Sequence, residues 1–521
     1  MNTFKNPIIP GFYPDPSICR VGEDYYLVTS TFEYFPGVPI FHSRDLVNWK
    51  QIGHVLDRPS QLELGGTEPS AGIWAPTIRY HEGTFYMITT FVVSRQGERR
   101  NFYVTANDPA GPWSDPVWLE GAPGIDPSLL FDDDGRVYYT GNRVPPTGQT
   151  HHKHEEIWLQ ELDINAGKLI GEPISIWDGA LKNAHAQEAP HLYKKDGYYY
   201  LIIAEGGTGY THAVTVARSK SVTGPYESSK RNPILTHRHL GRDSKIVNVG
   251  HADIIETQNG EWWLVCLASR PYGGHYRNLG RETFLAPMTW EDDWPVMCPD
   301  TGKIEFEMTK PNLPEHKWPS VPTFDSFESE TLDLRWNFLR TPDESSYSLT
   351  DRPGYLRLNL RPESTVEYVT PSFIGRRQQH VHFSATTVLN FTPQSENETA
   401  GLLLIQNHDY QFRFEVALTE GEQVVQLIRR ENGNEHVVAS NVYKDKTIYL
   451  KVEADGQEYH FYYAEKPDQW NVLAESEDGR ILSTDKAGGF TGAYLGPFAT
   501  SAGRSSDNVA DFDWFHYQGN E

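Results

Sequence analysis

Through roughly the first 310 residues, apolar positions fall in short aromatic-rich runs such as Tyr198-Tyr199-Tyr200-Leu201, cut by Gly, Pro and Asn/Asp turns. No stretch sustains a 3.6-residue period, so the pattern predicts strands throughout. The runs repeat. Pro14-Asp15-Pro16-Ser17-Ile18, Trp74-Ala75-Pro76-Thr77-Ile78, Ile125-Asp126-Pro127-Ser128-Leu129, Glu188-Ala189-Pro190-His191-Leu192 and Gly250-His251-Ala252-Asp253-Ile254 each lead within a few residues into a turn and an aromatic strand. The turns are Gly22-Glu23-Asp24, His81-Glu82-Gly83, Asp133-Asp134-Gly135, Asp196-Gly197 and Gln258-Asn259-Gly260. Anchored on Pro16, Pro76, Pro127, Pro190 and Ala252, the steps are 60, 51, 63 and 62 residues. That period fits four-stranded propeller blades, and five of them.

The pattern changes after Lys310. Residues 311–322 carry four prolines and cannot pair as a strand, so they read as a linker. Beyond them the repeat is lost, and stretches such as Tyr410-Gln411-Phe412-Arg413-Phe414-Glu415-Val416 alternate apolar with polar residues. One apolar face per strand predicts an antiparallel sandwich. The chain is therefore expected to be all-β: a five-bladed β-propeller over residues 1–310, the linker, and a β-sandwich domain over residues 323–521.

Composition narrows the partners. A chain of 521 residues is too long for one core. Its net charge of −24 repels polyanions, which argues against nucleic acid and anionic membranes. Three cysteines, Cys19, Cys266 and Cys298, imply no disulfide framework and lack metal-ligand spacing. The start, Met1-Asn2-Thr3-Phe4-Lys5-Asn6, has no apolar core of signal-peptide length, and no apolar run approaches about 18 residues. A cytoplasmic location is the expectation, and a homo-oligomer is left open.

The repeat also locates chemistry. The first strand of each blade lines the propeller axis, so equivalent positions converge. Asp15, Ala75, Asp126, Ala189 and His251 share one position, and Trp74, Ile125 and Glu188 share the position before it. Three carboxylates at the starts of buried strands each cost several kcal/mol of desolvation unless paired, hydrogen-bonded or used. Two carboxylates flanking a sugar can split a glycosidic bond, one as acid to the leaving oxygen and one as base to water. A third can hold the acid and raise its pKa by like-charge repulsion. Against this, Asp15 and Asp126 each precede Pro-Ser and read singly as turn residues bonding their own backbone.

Phe12-Tyr13-Pro14-Asp15-Pro16-Ser17, Gly72-Ile73-Trp74-Ala75-Pro76, Gly124-Ile125-Asp126-Pro127-Ser128, Gln187-Glu188-Ala189-Pro190 and Leu279-Gly280-Arg281-Glu282-Thr283 together resemble glycoside hydrolase family 43, in particular its two-domain β-xylosidases. The resemblance extends to Gly489-Phe490-Thr491-Gly492 near the end of the chain. It implies inverting hydrolysis with Asp15 as general base, Glu188 as general acid and Asp126 as the orienting carboxylate. It also implies that Arg281 contacts sugar and carboxylates, that Phe32 and Trp74 wall the pocket, and that an aromatic from the sandwich, for which Phe490 is the candidate, closes its mouth. His251 matches a histidine at the propeller axis that binds substrate and in relatives often accompanies a calcium ion. A hydrogen-bonded core histidine accounts for the residue as well, so a structural calcium stays open, and no cofactor is required.

The implied activity is release of xylose from short β-1,4-xylo-oligosaccharides, with α-L-arabinofuranosidase action on arabinosyl substrates beside it or in its place. A non-catalytic sugar-binding propeller is the rival from another class, and retention of all three carboxylates speaks against it. Trp74 could instead fill a blade core, and Arg281 could pair with Glu282, although adjacent strand residues face opposite ways. His151-His152-Lys153-His154 reads as a solvated rim loop, and Asp132-Asp133-Asp134-Gly135 as a hairpin turn rather than a calcium loop.

Overall fold

The computed structural model describes residues 2–520, and the outermost residues of the two expected domains, Met1 and Glu521, lie outside them. Five four-stranded antiparallel sheets follow one another along the chain. Their first strands are Ser17–Val21, Gly72–His81, Ser128–Phe131, Glu188–Lys195 and Val247–Glu256, and these contact one another in a closed ring. Strand Val247–Glu256 is buried along nearly its whole length, as expected of a strand covered on both faces. The ring is closed by pairing of Thr3–Lys5 with Glu307–Thr309. It is also knotted at the axis: Asp253, wholly buried, accepts from Ser17 Oγ at 2.7 Å, Ile18 N at 3.1 Å, Arg79 Nη1 at 2.9 Å and the Tyr193 hydroxyl. Arg79 Nη2 meets His191 Nδ1 at 2.8 Å, so one carboxylate ties the inner strands of blades one, two, four and five.

The second domain is a sandwich of two eight-stranded sheets. Strand Thr447–Asp455 alternates buried with half-buried positions along its length, the pattern read from the sequence. One sheet ends on a strand that the propeller supplies: Tyr34–Phe35, from blade one, pairs with Asn337–Leu339. A single apolar cluster runs from Val28, Ile40 and Ile73 of the propeller to Phe338, Ile374 and Phe412 of the sandwich. Two buried arginines brace this junction. Arg340 donates to the carbonyls of Thr67 and Val369 at 2.8 and 2.9 Å, and Arg377 donates to Phe12 O at 2.7 Å and Asn337 Oδ1 at 2.6 Å.

The proline-rich stretch carries no strand, yet it is pinned to the blades: His316 N donates to Asp45 Oδ2 at 2.9 Å, and Trp318 Nε1 to Asn48 O at 3.2 Å. Asp132-Asp133-Asp134-Gly135 forms the turn between Ser128–Phe131 and Val137–Arg143. The histidine tract departs from a fully solvated loop, because His154 is buried and His151 Nε2 meets Ala184 O at 2.5 Å.

Candidate active site

The five equivalent repeat positions share an unusual backbone. Asp15, Ala75, Asp126, Ala189 and His251 have φ of 55°, 38°, 55°, 53° and 51°. Non-glycine residues rarely adopt this left-handed region, and its cost of roughly 1–3 kcal/mol is borne where surrounding structure fixes the residue. In blades two, four and five it coincides with a slip in register between the first and second strands. The kink turns the strand start towards the axis, and one pocket collects the result. Asp15, Phe32, Trp74, Asp126, Glu188, His251, Arg281 and Phe490 all line it, joined by Ala75, Ile125 and Thr208. It encloses about 420 Å3 of space between its atoms, solvent at the mouth included.

Asp15 is the most firmly held carboxylate. Ser30 Oγ donates to its Oδ2 at 2.6 Å and Arg281 Nη1 to its Oδ1 at 2.7 Å, while His251 Nδ1 lies 3.7 Å from Oδ1. Burial alone would raise its pKa, but Arg281, then His251 and Ser30, outweigh burial and hold it below the usual carboxylate range. Ser30 also accepts from Ala75 N at 2.7 Å, which links blade one to blade two beneath the site.

Asp126 and Glu188 behave oppositely. Burial raises both, and repulsion adds to it: from Asp15 and Glu155 on Asp126, and from Asp126, Glu155 and Asp15 on Glu188. Arg281 opposes the rise at each without cancelling it. The pair therefore retains a proton at a pH where Asp15 has lost its own, and it titrates as a unit. Asp126 Oδ2 accepts from Ala189 N at 3.1 Å, which fixes the backbone beside Glu188. Neither Asp15 nor Asp126 is a turn residue capping its own loop.

Arg281 does not pair with Glu282. Glu282 faces away and is held by Arg270 at 2.7 and 2.9 Å and by Gly11 N at 2.8 Å. The guanidinium of Arg281 lies 5.4 Å from the Phe32 ring centre and 5.9 Å from that of Phe490. Phe32, Trp74 and Phe490 form an aromatic trio with centroids 6.0–6.1 Å apart. Phe490 enters from the sandwich, its N–H donating to Ser70 Oγ at 2.8 Å. Phe32 is placed by two backbone bonds of 3.0 Å to Ile73, and the approach demands glycine next door: a Cβ on Gly72 would stand 2.0 Å from Phe32 O. Among the described residues, Trp74 Nε1 and Arg281 Nε find no protein partner.

Burial keeps the pKa of His251 below its ordinary value. Among the described residues no group of three or more His, Cys, Asp or Glu side chains could hold a metal ion. Calcium asks for six to eight oxygens, so the chain's own residues do not build a cation cage around His251. Three residues escaped the sequence reading of the site. Ser30 and Thr208, whose Oγ1 accepts from Arg281 Nη1 at 3.3 Å, lie in connections outside the repeat. Glu155 directly follows His151-His152-Lys153-His154, read as a solvated rim loop, and the glycines at 206, 207 and 209 were the one signal for Thr208.

Residues 4–295 match the profile of Glycosyl hydrolases family 43, and residues 324–518 that of the Beta xylosidase C-terminal Concanavalin A-like domain. The chain is 47% identical over 516 residues, 98% of each sequence, to a xylosidase/arabinosidase of Butyrivibrio fibrisolvens. It is 43% identical over 521 residues to a non-reducing end alpha-L-arabinofuranosidase of Bacteroides ovatus, covering 99% of this chain and 95% of that one. Among solved structures, a xylan beta-1,4-xylosidase from Bacillus halodurans superposes with a TM-score of 0.94 at 39% identity, over 99% of this chain and 100% of the other.

Proposed function

The chain belongs to glycosyl hydrolases family 43, and from that premise we propose that it releases xylose from the non-reducing end of short β-1,4-xylo-oligosaccharides by inversion, with α-L-arabinofuranosidase activity beside it. The observation that carries this reading is the opposed state of the carboxylates around one pocket: Asp15 held ionised by Arg281 and Ser30, and the Asp126–Glu188 pair holding a proton. Asp15 takes a proton from water as that water attacks the anomeric carbon, and Glu188 gives its proton to the departing oxygen on the opposite face. Asp126 orients Glu188 through the Ala189 N–H and, as a neighbouring carboxylate, raises its proton affinity. Phe32, Trp74 and Phe490 supply apolar walls for one terminal pentose, which makes the action exo.

The arabinofuranoside reading is kept because the Butyrivibrio relative is named for both activities and the Bacteroides one for arabinofuranosidase. Rates on aryl β-xyloside and aryl α-arabinofuranoside, measured side by side, rank the two. Proton NMR of the first product is expected to show the inverted anomer, and retention would overturn the assignment of Asp15 as base. Glu188→Ala is expected to lose roughly 10²–10⁴-fold on xylobiose but far less on a 4-nitrophenyl glycoside, whose leaving group needs little protonation. Asp15→Ala is expected to impair both substrates alike.

A further inference from the structure

A fourth carboxylate stands behind the catalytic three. Glu155 precedes the third strand of blade three, Glu156–Asp163, and its Oε2 accepts from Asn142 Nδ2 at 3.0 Å. Asn142 is fully buried, and its Oδ1 accepts from the backbone N–H of Ile125, the residue before Asp126, at 2.7 Å. The backbone N–H of Glu155 donates to Oε1 of Gln187, the residue before Glu188, at 3.0 Å. The junction is tight: a Cβ on Gly124, whose φ is +88°, would stand 1.6 Å from Asn142 O. A single half-buried glutamate is thus wired through one amide to the neighbour of Asp126, and through its own backbone to the neighbour of Glu188.

We propose that Glu155 is a positioning residue for the general acid: held by Asn142 beside the Asp126–Glu188 pair, its carboxylate, when ionised, helps keep the proton on Glu188 until the leaving oxygen takes it. This rests on the reading of Glu188 as the acid. The charged groups facing Glu188 are Asp126, Glu155 and Asp15, which favour its protonated form, and Arg281, which opposes it. Those facing Glu155 are the carboxyls of Asp126 and Glu188 and the cations Arg99 and Lys153, which favour its ionised form without outweighing the burial that pushes it up to about 7. Glu188 is raised well above its ordinary value. Above about pH 7 Glu155 carries its charge, and that charge favours the protonated form of Glu188.

The test is the pH profile of kcat/KM on xylobiose for the full chain and for Glu155→Gln, which removes the charge and keeps an oxygen for Asn142. The alkaline limb is expected to move acidward by about half to one pH unit, the scale of one charge acting across several ångströms of partly wet protein. Read on that limb, activity falls roughly three- to tenfold, and the acid limb stays nearly in place. Glu155→Asp retains the charge on a shorter arm, so it is expected to lower kcat while leaving the alkaline limb unmoved. An unmoved limb in Glu155→Gln, an equal shift in both variants, or a Glu155→Gln protein that melts far below the parent would each overturn the proposal, the last by making Glu155 a structural anchor. Failure of the acid assignment reads differently, as an equal loss on xylobiose and on the 4-nitrophenyl glycoside in Glu188→Ala.

Discussion

One guanidinium acts on three carboxylates. Arg281 touches Asp15 at 2.7 Å and opposes the rise of Asp126 and Glu188. The base must be ionised to act, so Asp15, held low, leaves the acid limb of kcat/KM at low pH, while Glu188, held high, leaves the alkaline limb at high pH. In Arg281→Gln the cation is gone and all three carboxyls rise. Both limbs are expected to move to higher pH, the acid limb further because Asp15 loses a direct contact, with kcat/KM down roughly 10²–10³-fold. This is the opposite pattern to Glu155→Gln. Phe490 offers a different signature, since an apolar wall binds ground and transition states alike: Phe490→Ala is expected to raise KM roughly tenfold and to change kcat less. At this scale Asp15, Asp126 and Glu188 were legible because a repeat converts equal sequence positions into one place in space. Ser30, Thr208 and Glu155 were not, because each sits in a connection whose length and path differ from blade to blade.

Among elements, the inner strands decide most. Their starts carry the left-handed residue that swings each functional position into the pocket, and the prolines that follow four of the five made the register readable from the chain. The knot beneath was not legible, because nothing in the spacing of Ser17, Arg79, Tyr193 and Asp253 says that they meet. Asp253 stabilises it by satisfying a largely buried arginine and two hydroxyls at once. Asp253→Ala leaves the Arg79 charge without its partner, and a loss of about 3–5 kcal/mol is expected, read as a lower denaturation midpoint. A change under about 1 kcal/mol would mean that water enters the axis and replaces the carboxylate. Since Ser17 lies two residues beyond Asp15 and His191 three beyond Glu188, the same variant is expected to lower kcat even at temperatures where it stays folded.

As a whole, the molecule is less divisible than its sequence suggested. The proline-rich stretch and the loss of repeat after it read as a domain boundary, yet a sheet of the sandwich is finished by Tyr34–Phe35 from blade one. Apolar groups near Val28, Ile40 and Ile73 share one cluster with Phe338, Ile374 and Phe412. A chain ending at Pro322 keeps all three pocket carboxylates but bares that face and loses Phe490. It is expected to be poorly soluble or nearly inactive, and a well-behaved, fully active fragment would show that the shared cluster contributes little. The same sharing predicts that the full chain melts in one transition rather than two, measurable by calorimetry.

The borrowed strand also bears on biosynthesis. Residues 34 and 35 leave the ribosome early, whereas their partners near residue 338 and the sheet behind them emerge only after the ring has been closed by Glu307–Thr309. At roughly 5–20 residues per second, the last 200 or so residues take about 10–40 s to appear. Through that interval a finished propeller displays an unpaired edge and a bare apolar face to every other nascent chain nearby. Yield on overexpression should accordingly depend on translation speed through the second domain and on holding chaperones more than on the stability of the finished protein.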